Sequence, residues 1–309
     1  MRILIIGSEG TIGPRLYKCI RTKMPDAEIV RCDKEKRKAD DYVMADINFY
    51  ETLKPAFYFE PDIVFHLAGE VSRESSELFP NKSIETNVLG TSNVIQYCMD
   101  HGSKIVMTST SEIYGMYLDE GSHVVEDVME RRPLRARNIY AVTNFMGEQL
   151  IAYYHWMYDL KAVVVRLFMV YGPGEFPTPY RSIISRFIEA ALLGRDIHVH
   201  AGGMRSFCYV DEVVEGIRRA GLHEYYETFN LGMEEEWLVS DIAKEIILQT
   251  GSSSKSVLSE PDQSISLIKR ADFRKAELLL GWKPEMTLKE GLKKTIEWQK
   301  EAVRYGQES

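Results

Sequence analysis

What this sequence lacks narrows it before any motif is read. Its four cysteines, Cys19, Cys32, Cys98 and Cys208, form no CxxC pair, which disfavours a disulfide framework and a zinc cluster and fits a reducing compartment. All four are expected in the core. "HVH" at His198–His200 sets two imidazoles on one face of a strand, but no third ligand follows at metal spacing, so no metal is expected. No apolar run reaches the roughly 18 residues of a membrane helix, and the chain opens on a strand-like "MRILIIG" without a signal-peptide layout. The expected location is the cytoplasm. An excess of positive charge is missing too: 46 acidic against 38 basic residues leave a net charge of −8 on 309 residues. That argues against nucleic-acid and anionic-membrane partners, while local basic clusters remain free to hold a small anion.

What is present is an alternation. Short β-rich runs at Ile3–Ile6, Glu28–Cys32, Ile63–Leu67, Lys104–Thr108 and Ala162–Leu167 are separated by segments of helical period at Ile12–Thr22, Phe49–Phe59, Asn87–His101 and Tyr140–Tyr158. Serial crossovers of this kind predict an α/β fold with a doubly wound, parallel Rossmann-type sheet. After Tyr171 the pattern gives way to the Pro/Gly-rich "YGPGEFPTPY" and mixed short elements, which predicts a smaller C-terminal substrate-binding cap. The expected division is 1–170 for the cofactor domain, with a return segment near 205–235, and 171–204 with 236–309 for the cap. A cleft between the two is the expected ligand site. The acidic run Glu234–Glu236 reads as a solvated loop.

The first chemical motif is "GSEGTIG", with Gly7, Gly10 and Gly13 placed after one strand and opening a helix through Thr11 and Ile12. Glycines there permit a tight turn and close backbone approach to a pyrophosphate, which the helix N-terminus faces. Asp33 ends the second strand about 20 residues later, where an acid accepts hydrogen bonds from a ribose diol, so the expected cofactor is NAD. Lys34, Lys36 and Arg37 form the competing signal, a basic cluster suited to the extra phosphate of NADP. "ADI", with Asp46 and Ile47, suits the adenine end. "HLAG", with Leu67, Ala68 and Gly69, suits the far half of the cofactor, and His66 within it reads as structural. The second motif is "TSTSEIYG", Thr108 to Gly115, which with Tyr140 on the next helix brings a hydroxyl, a phenol and a carboxylate to one strand-end crevice.

These stretches, with "NVLGTSNV", "YAVTNFMGE", "RLFMVYGPGE", "RSFCYVDEVVEG" and "KRADFRKAELLLGWKP", resemble the extended short-chain dehydrogenase/reductases, the NAD-dependent nucleotide-sugar epimerases and dehydratases. The resemblance runs from the first strand to about Pro284. It implies that Tyr140 takes the proton of a sugar hydroxyl while hydride passes to bound NAD, and that Thr110 shares the hydrogen bond to that hydroxyl. Thr110, Ser111 and Glu112 resemble the corresponding triplet of 4,6-dehydratases and UDP-glucuronate decarboxylases, in which Glu112 would abstract a proton beside a transient 4-keto group and Ser111 would assist at C6. The "RSFCYVDE" segment resembles that of the decarboxylases, with Arg205 on a phosphate or sugar carboxylate. Lys269, Arg270 and Arg181 are further diphosphate candidates, since forked or pointlike cations suit phosphate oxygens. A homodimer is implied, paired through the helices at Asn87–His101 and Tyr140–Tyr158.

Two positions depart from the family pattern. The lysine expected four residues after the tyrosine is Asn144, whose amide can hold the nicotinamide ribose but supplies no charge to a phenol of ordinary pKa near 10. An asparagine common before "YGP" is Met169, which loses a polar contact to the nucleotide sugar. Three outcomes stay open at this point: a slow oxidation, a relocated cation such as Arg135 or Arg137, or a protein that binds without turnover. The reaction type is open as well. Dehydration or decarboxylation is favoured, with 4-epimerisation as the alternative.

Overall fold

The β-branched and apolar runs form strands where turn residues bound them. The computed structural model describes residues 1–120, 123–178, 181–260 and 268–307. Six strands, β1 (Arg2–Ile6), β2 (Glu28–Asp33), β3 (Tyr42–Met44), β4 (Ile63–His66), β5 (Lys104–Thr110) and β6 (Ala162–Leu167), join the strand Glu227–Leu231 in one sheet. Its order is Glu227–Leu231, β6, β5, β4, β1, β2, β3, and every pair is parallel. The chain winds outward from β1 in both directions, so the strand order reverses between β1 and β4. A crevice opens there at the strand C-termini.

Helices α1 (Gly13–Lys23), α2 (Tyr50–Phe57), α3 (Arg73–Leu78), α4 (Pro80–Ile84), α5 (Thr91–His101), α6 (Val128–Arg131), α7 (Ile139–Tyr158), α8 (Ile183–Leu192) and α9 (Val210–Leu222) follow. One core layer packs α1 and α9 on the sheet through Leu16, Ile20, Val213 and Ile217. The opposite layer packs α2, α5 and α7 through Leu53, Phe57, Val94, Ile95 and Ile151. Each such side chain taken out of water contributes about 1.5–3 kcal/mol. A third cluster, with Phe187, Ile188, Val199, Ile242, Ile246 and Leu292, lies in the C-terminal part between α8, the helix Val239–Thr250 and the helix Leu288–Gln307.

The differences from the sequence reading are local. β3 has three residues, too few to leave a periodic signal. The helix expected from Asn87 begins as a π-helical turn, Glu85–Gly90, a widening that marks functional sites. Here the buried Asn87 accepts from Glu70 N (2.7 Å) and donates to Thr143 Oγ1 (3.1 Å) on α7. Cys19 is half-buried with its thiol 3.5 Å from Glu215, while Cys32, Cys98 and Cys208 are core residues. The acidic run is not simply solvated: Glu236 pairs with Arg270 and Glu235 accepts from Leu288 N at 2.7 Å, because both sit against ends of other elements. Pro179 and Tyr180 of the Pro/Gly-rich loop lie outside the described residues. Apolar side chains on the π-turn and on α7, Leu89, Met146, Tyr153 and Met157, are exposed. Among the described residues no helix is long and apolar enough to cross a membrane.

Candidate active site

The crevice is a cleft of about 690 Å³. At one end the chain leaves β1 through Gly7, whose φ of +85° is open to glycine at little cost. A Cβ on Gly7 would stand 2.5 Å from Ala68 N, and one on Gly13 would stand 2.5 Å from Gly7 O. A Cβ on Gly10 would meet nothing nearer than 3.6 Å, yet Gly10 lines the cleft. The loop is therefore a backbone cradle capped by the N-terminus of α1, a setting suited to a pyrophosphate. Asp33 is fixed beside it by Glu9 N (2.9 Å) and Glu35 N (3.2 Å), with its carboxylate on the cleft. Of the basic cluster after Asp33, Lys34 lines the cleft, whereas Arg37 is paired with Glu9 at 2.5 Å. The acids Asp33 and Glu9 dominate this corner and favour a ribose diol over a phosphate. Arg15 on α1 donates to Pro173 O (2.8 Å) and pairs with Asp211, which ties the "YGPGE" loop to the glycine cradle.

The other end carries the candidate reactive groups. Thr110 and Ser111 are buried where β5 runs into a 3₁₀ segment, and Thr110 Oγ1 accepts from Glu112 N at 3.2 Å. Tyr140 stands in the first turn of α7, one turn before Asn144. Burial pushes its phenol up to about 12, the hydrogen bond with Thr110 works the other way, and the charge of Glu112 adds to the rise. No cation acts on it among the described residues. Asn144 is buried and donates to the carbonyl of Tyr140 at 2.9 Å. One N–H of its amide is thus spent on its own helix, while its carbonyl oxygen is left for a ligand. Arg137 is held by Asp119, and the guanidinium of Arg135 lies 5.9 Å from the Tyr117 ring centre, so neither relocated-cation candidate lines the cleft.

Glu112 is better provided for. Burial works to raise its pKa, but the Lys269 ammonium, hydrogen bonds from Lys269 and Asn138, and the field of Arg73 outweigh this and hold it below the ordinary carboxylate value. Asn138 does two jobs: it caps α7 by accepting from Ala141 N (2.8 Å) and donates to Glu112 Oε2 (3.2 Å). Lys269 and its in-register neighbour Arg205 are both buried. Burial lowers Arg205 to about 10, Glu112 works against that and Arg73 adds to it. His66 is buried with Nε2 3.0 Å from Thr91 Oγ1, and burial brings it down to about 4, so it is neutral.

Beneath these groups lies a second charge network. Glu148 on α7 takes Arg166 of β6 at 3.1 and 2.8 Å and also accepts from Ser109 of β5. Arg166 donates onward to Tyr114 Oη (3.0 Å), which donates to Asn230 (2.7 Å). Both charges are buried and fully bonded, the arrangement in which a buried pair fixes geometry.

All the expected cofactor residues, Gly7, Gly10, Thr11, Ile12, Gly13, Asp33, Asp46, Ile47, Leu67, Ala68, Gly69 and Thr108, line this cleft, with Thr110, Ser111, Glu112, Tyr140, Asn144, Met169 and Arg181. Arg205 and Lys269 do not line it but lie behind Glu112, and Arg270 is engaged with Glu236. Arg73, Glu70 and Glu175 line the cleft and were not foreseen. Met169 has φ of +42°, a left-handed backbone that asparagine tolerates and methionine does not favour.

A family model described as the NAD dependent epimerase/dehydratase family matches residues 3–232. The chain belongs to that family. It is 30% identical over 305 residues to UDP-glucuronic acid decarboxylase 6 of Arabidopsis thaliana, spanning 94% of this chain and 87% of that protein. Among solved structures, UDP-glucose 4-epimerase of Thermotoga maritima with UDP-glucose covers 98% of this chain and 100% of its own at a TM-score of 0.88 and 25% identity. UDP-glucose 4-epimerase of Thermus thermophilus in complex with NAD gives the same coverage and identity at a TM-score of 0.87. The epimerase/dehydratase family is NAD-dependent, and the glycine cradle with Asp33 fits that cofactor.

Proposed function

We propose that the chain is an NAD-dependent nucleotide-sugar enzyme that oxidises a sugar C4 hydroxyl transiently and then acts on a neighbouring carbon, as a dehydratase or a decarboxylase. One observation carries the reading: Thr110, Ser111, Glu112 and Tyr140 share one end of the cleft, with Glu112 kept as a carboxylate. When bound, NAD supplies a reversible two-electron sink and a positively charged ring. Gly7, Gly10 and Gly13 would hold its diphosphate, Asp33 a ribose diol, and Asn144 the other ribose through its carbonyl oxygen. Tyr140 takes the C4 hydroxyl proton, and Thr110 shares that hydrogen bond. The carbonyl formed at C4 acidifies the adjacent C5–H, whose proton Glu112 accepts in a dehydration while the C6 hydroxyl departs as water with Ser111 assisting. In a decarboxylation the same carbonyl receives the electron pair of the departing carboxylate. UDP sugars are the first substrates to test, after the relatives named above.

A second reading, a nucleotide-sugar-binding protein of little turnover, is favoured by one feature, the phenol of Tyr140 without a cation. Incubation of the purified protein with NAD and a panel of UDP-, dTDP- and GDP-sugars separates the two, with products resolved by mass and retention. Loss of water or of carbon dioxide supports the dehydratase or decarboxylase, and an isomer of unchanged mass supports a 4-epimerase instead. Binding without any product supports the second reading and overturns the first.

A further inference from the structure

The charges around Glu112 do not cancel. Glu112 is matched by Lys269, and Glu70 by Lys82 at 2.8 Å. Glu175, also on the cleft, is tied down by Ser182 N (3.1 Å) and Ser182 Oγ (2.5 Å), and burial raises its pKa. That leaves Arg73 as the surplus charge beside Glu112, while Arg181 lines the cleft near Glu175. Arg73 is half-buried, it lines the cleft, and its guanidinium makes no hydrogen bond or ion pair with any described residue. Its backbone is well held: Ser72 caps α3 by accepting from Ser75 N (3.1 Å), and Glu77 of the same helix accepts from Ile139 N (2.7 Å) at the start of α7. The guanidinium is therefore carried beside the reactive end by the helix that braces Tyr140. Behind Glu112 the buried Arg205 feels the same field, and the two cations repel each other.

A partly desolvated cation without a partner is costly, and a carboxylate answers it with two parallel N–H···O bonds. Resting on the function proposed above, we infer that Arg73 receives an anionic group of the nucleotide sugar, namely a carboxylate on the sugar itself. The substrate class is thereby narrowed to nucleotide uronates. The chemical alternative is the diphosphate, which every nucleotide sugar carries, so the test compares a sugar with the carboxylate and one without it.

The experiment measures binding of UDP-glucuronate and UDP-glucose to the NAD-loaded full chain by calorimetry, for the wild type, Arg73→Gln and Arg73→Lys. Arg73→Gln is expected to weaken UDP-glucuronate by roughly tenfold or more, as removal of a charge-assisted bidentate contact does, and UDP-glucose by less than about twofold. Arg73→Lys keeps the charge without the fork and should recover part of the loss. Equal weakening of both ligands assigns Arg73 to the diphosphate and overturns the inference, and so does unchanged binding of UDP-glucuronate. If the wild type binds neither ligand nor any other nucleotide sugar, the proposed function falls and the inference with it, an outcome distinct from a wild type that binds both alike. Because the Arg73 side chain makes no hydrogen bond or ion pair with any described residue, both variants should unfold within a few degrees of the wild type.

Discussion

The two ends of the cleft are built to different standards. At the cofactor end the expected groups line one side of the cleft: the cradle admits no Cβ at Gly7 or Gly13, and Asp33 is clamped by two backbone N–H groups. At the other end the frame is equally firm, but two residues on it depart from the family pattern. Asn144 turns back on its own helix and Met169 occupies a backbone conformation that suits another residue. The comparison teaches that cofactor capture and reactivity are separable here. The first depends on backbone shape. On the proposed mechanism, the second depends on charge delivered to one phenol.

Three substitutions test that separation. The largest effect belongs to Tyr140→Phe, which removes one hydroxyl and little packing. Sugar oxidation in a single turnover, followed by absorbance of the reduced nicotinamide, should fall by about 10²–10⁴-fold while NAD still binds. If NAD were lost together with activity, the two ends would not be independent. Next comes Asn144→Lys. On the proposed mechanism the reactive form of Tyr140 is the phenolate, so with its pKa pushed up to about 12 the rate should climb as pH rises. An ammonium one helical turn away lowers that pKa, and each unit is worth about 1.4 kcal/mol, or about tenfold in rate below it. The pH–rate curve should move toward acid. A curve that stays in place would mean that proton removal from the sugar does not limit oxidation. The smallest effect is thermodynamic. A non-glycine residue held at left-handed φ costs about 1–3 kcal/mol, and asparagine tolerates that region best after glycine. Met169→Asn should therefore gain about 0.5 kcal/mol in denaturant unfolding, after the loss of methionine packing on the third cluster. A net loss would show that this packing outweighs the backbone relief.

Much of the frame was legible because its signals are local. Apolar runs of four to seven residues announced β1, β2, β4, β5 and β6, and glycine spacing announced the cradle. What stayed hidden depends on distance along the chain. Glu112 and Lys269 were each legible, but 157 residues separate them, and nothing in either neighbourhood announces that they pair. Asn138 precedes a helix, which suggests a cap, yet its second bond to Glu112 needs the fold. Arg73 sits in a six-residue helix outside every motif, and its importance comes only from what fails to surround it. The left-handed backbone at Met169 is invisible in sequence, although the departure from the family pattern at that position is not.

The pairing of Arg166 with Glu148 has a bearing on ionic strength. Dissolved ions screen charges that meet solvent within about 10 Å at 0.1 M, and reach buried pairs much less. Both members of this pair are out of solvent, so the link from β6 through α7 to β5 is nearly indifferent to salt. Arg181, on the cleft and only partly covered, enjoys no such shelter. Ionic strength therefore acts on how an anionic ligand is drawn in and held, and leaves alone the spacing of the hydroxyls and the phenol that would act on it.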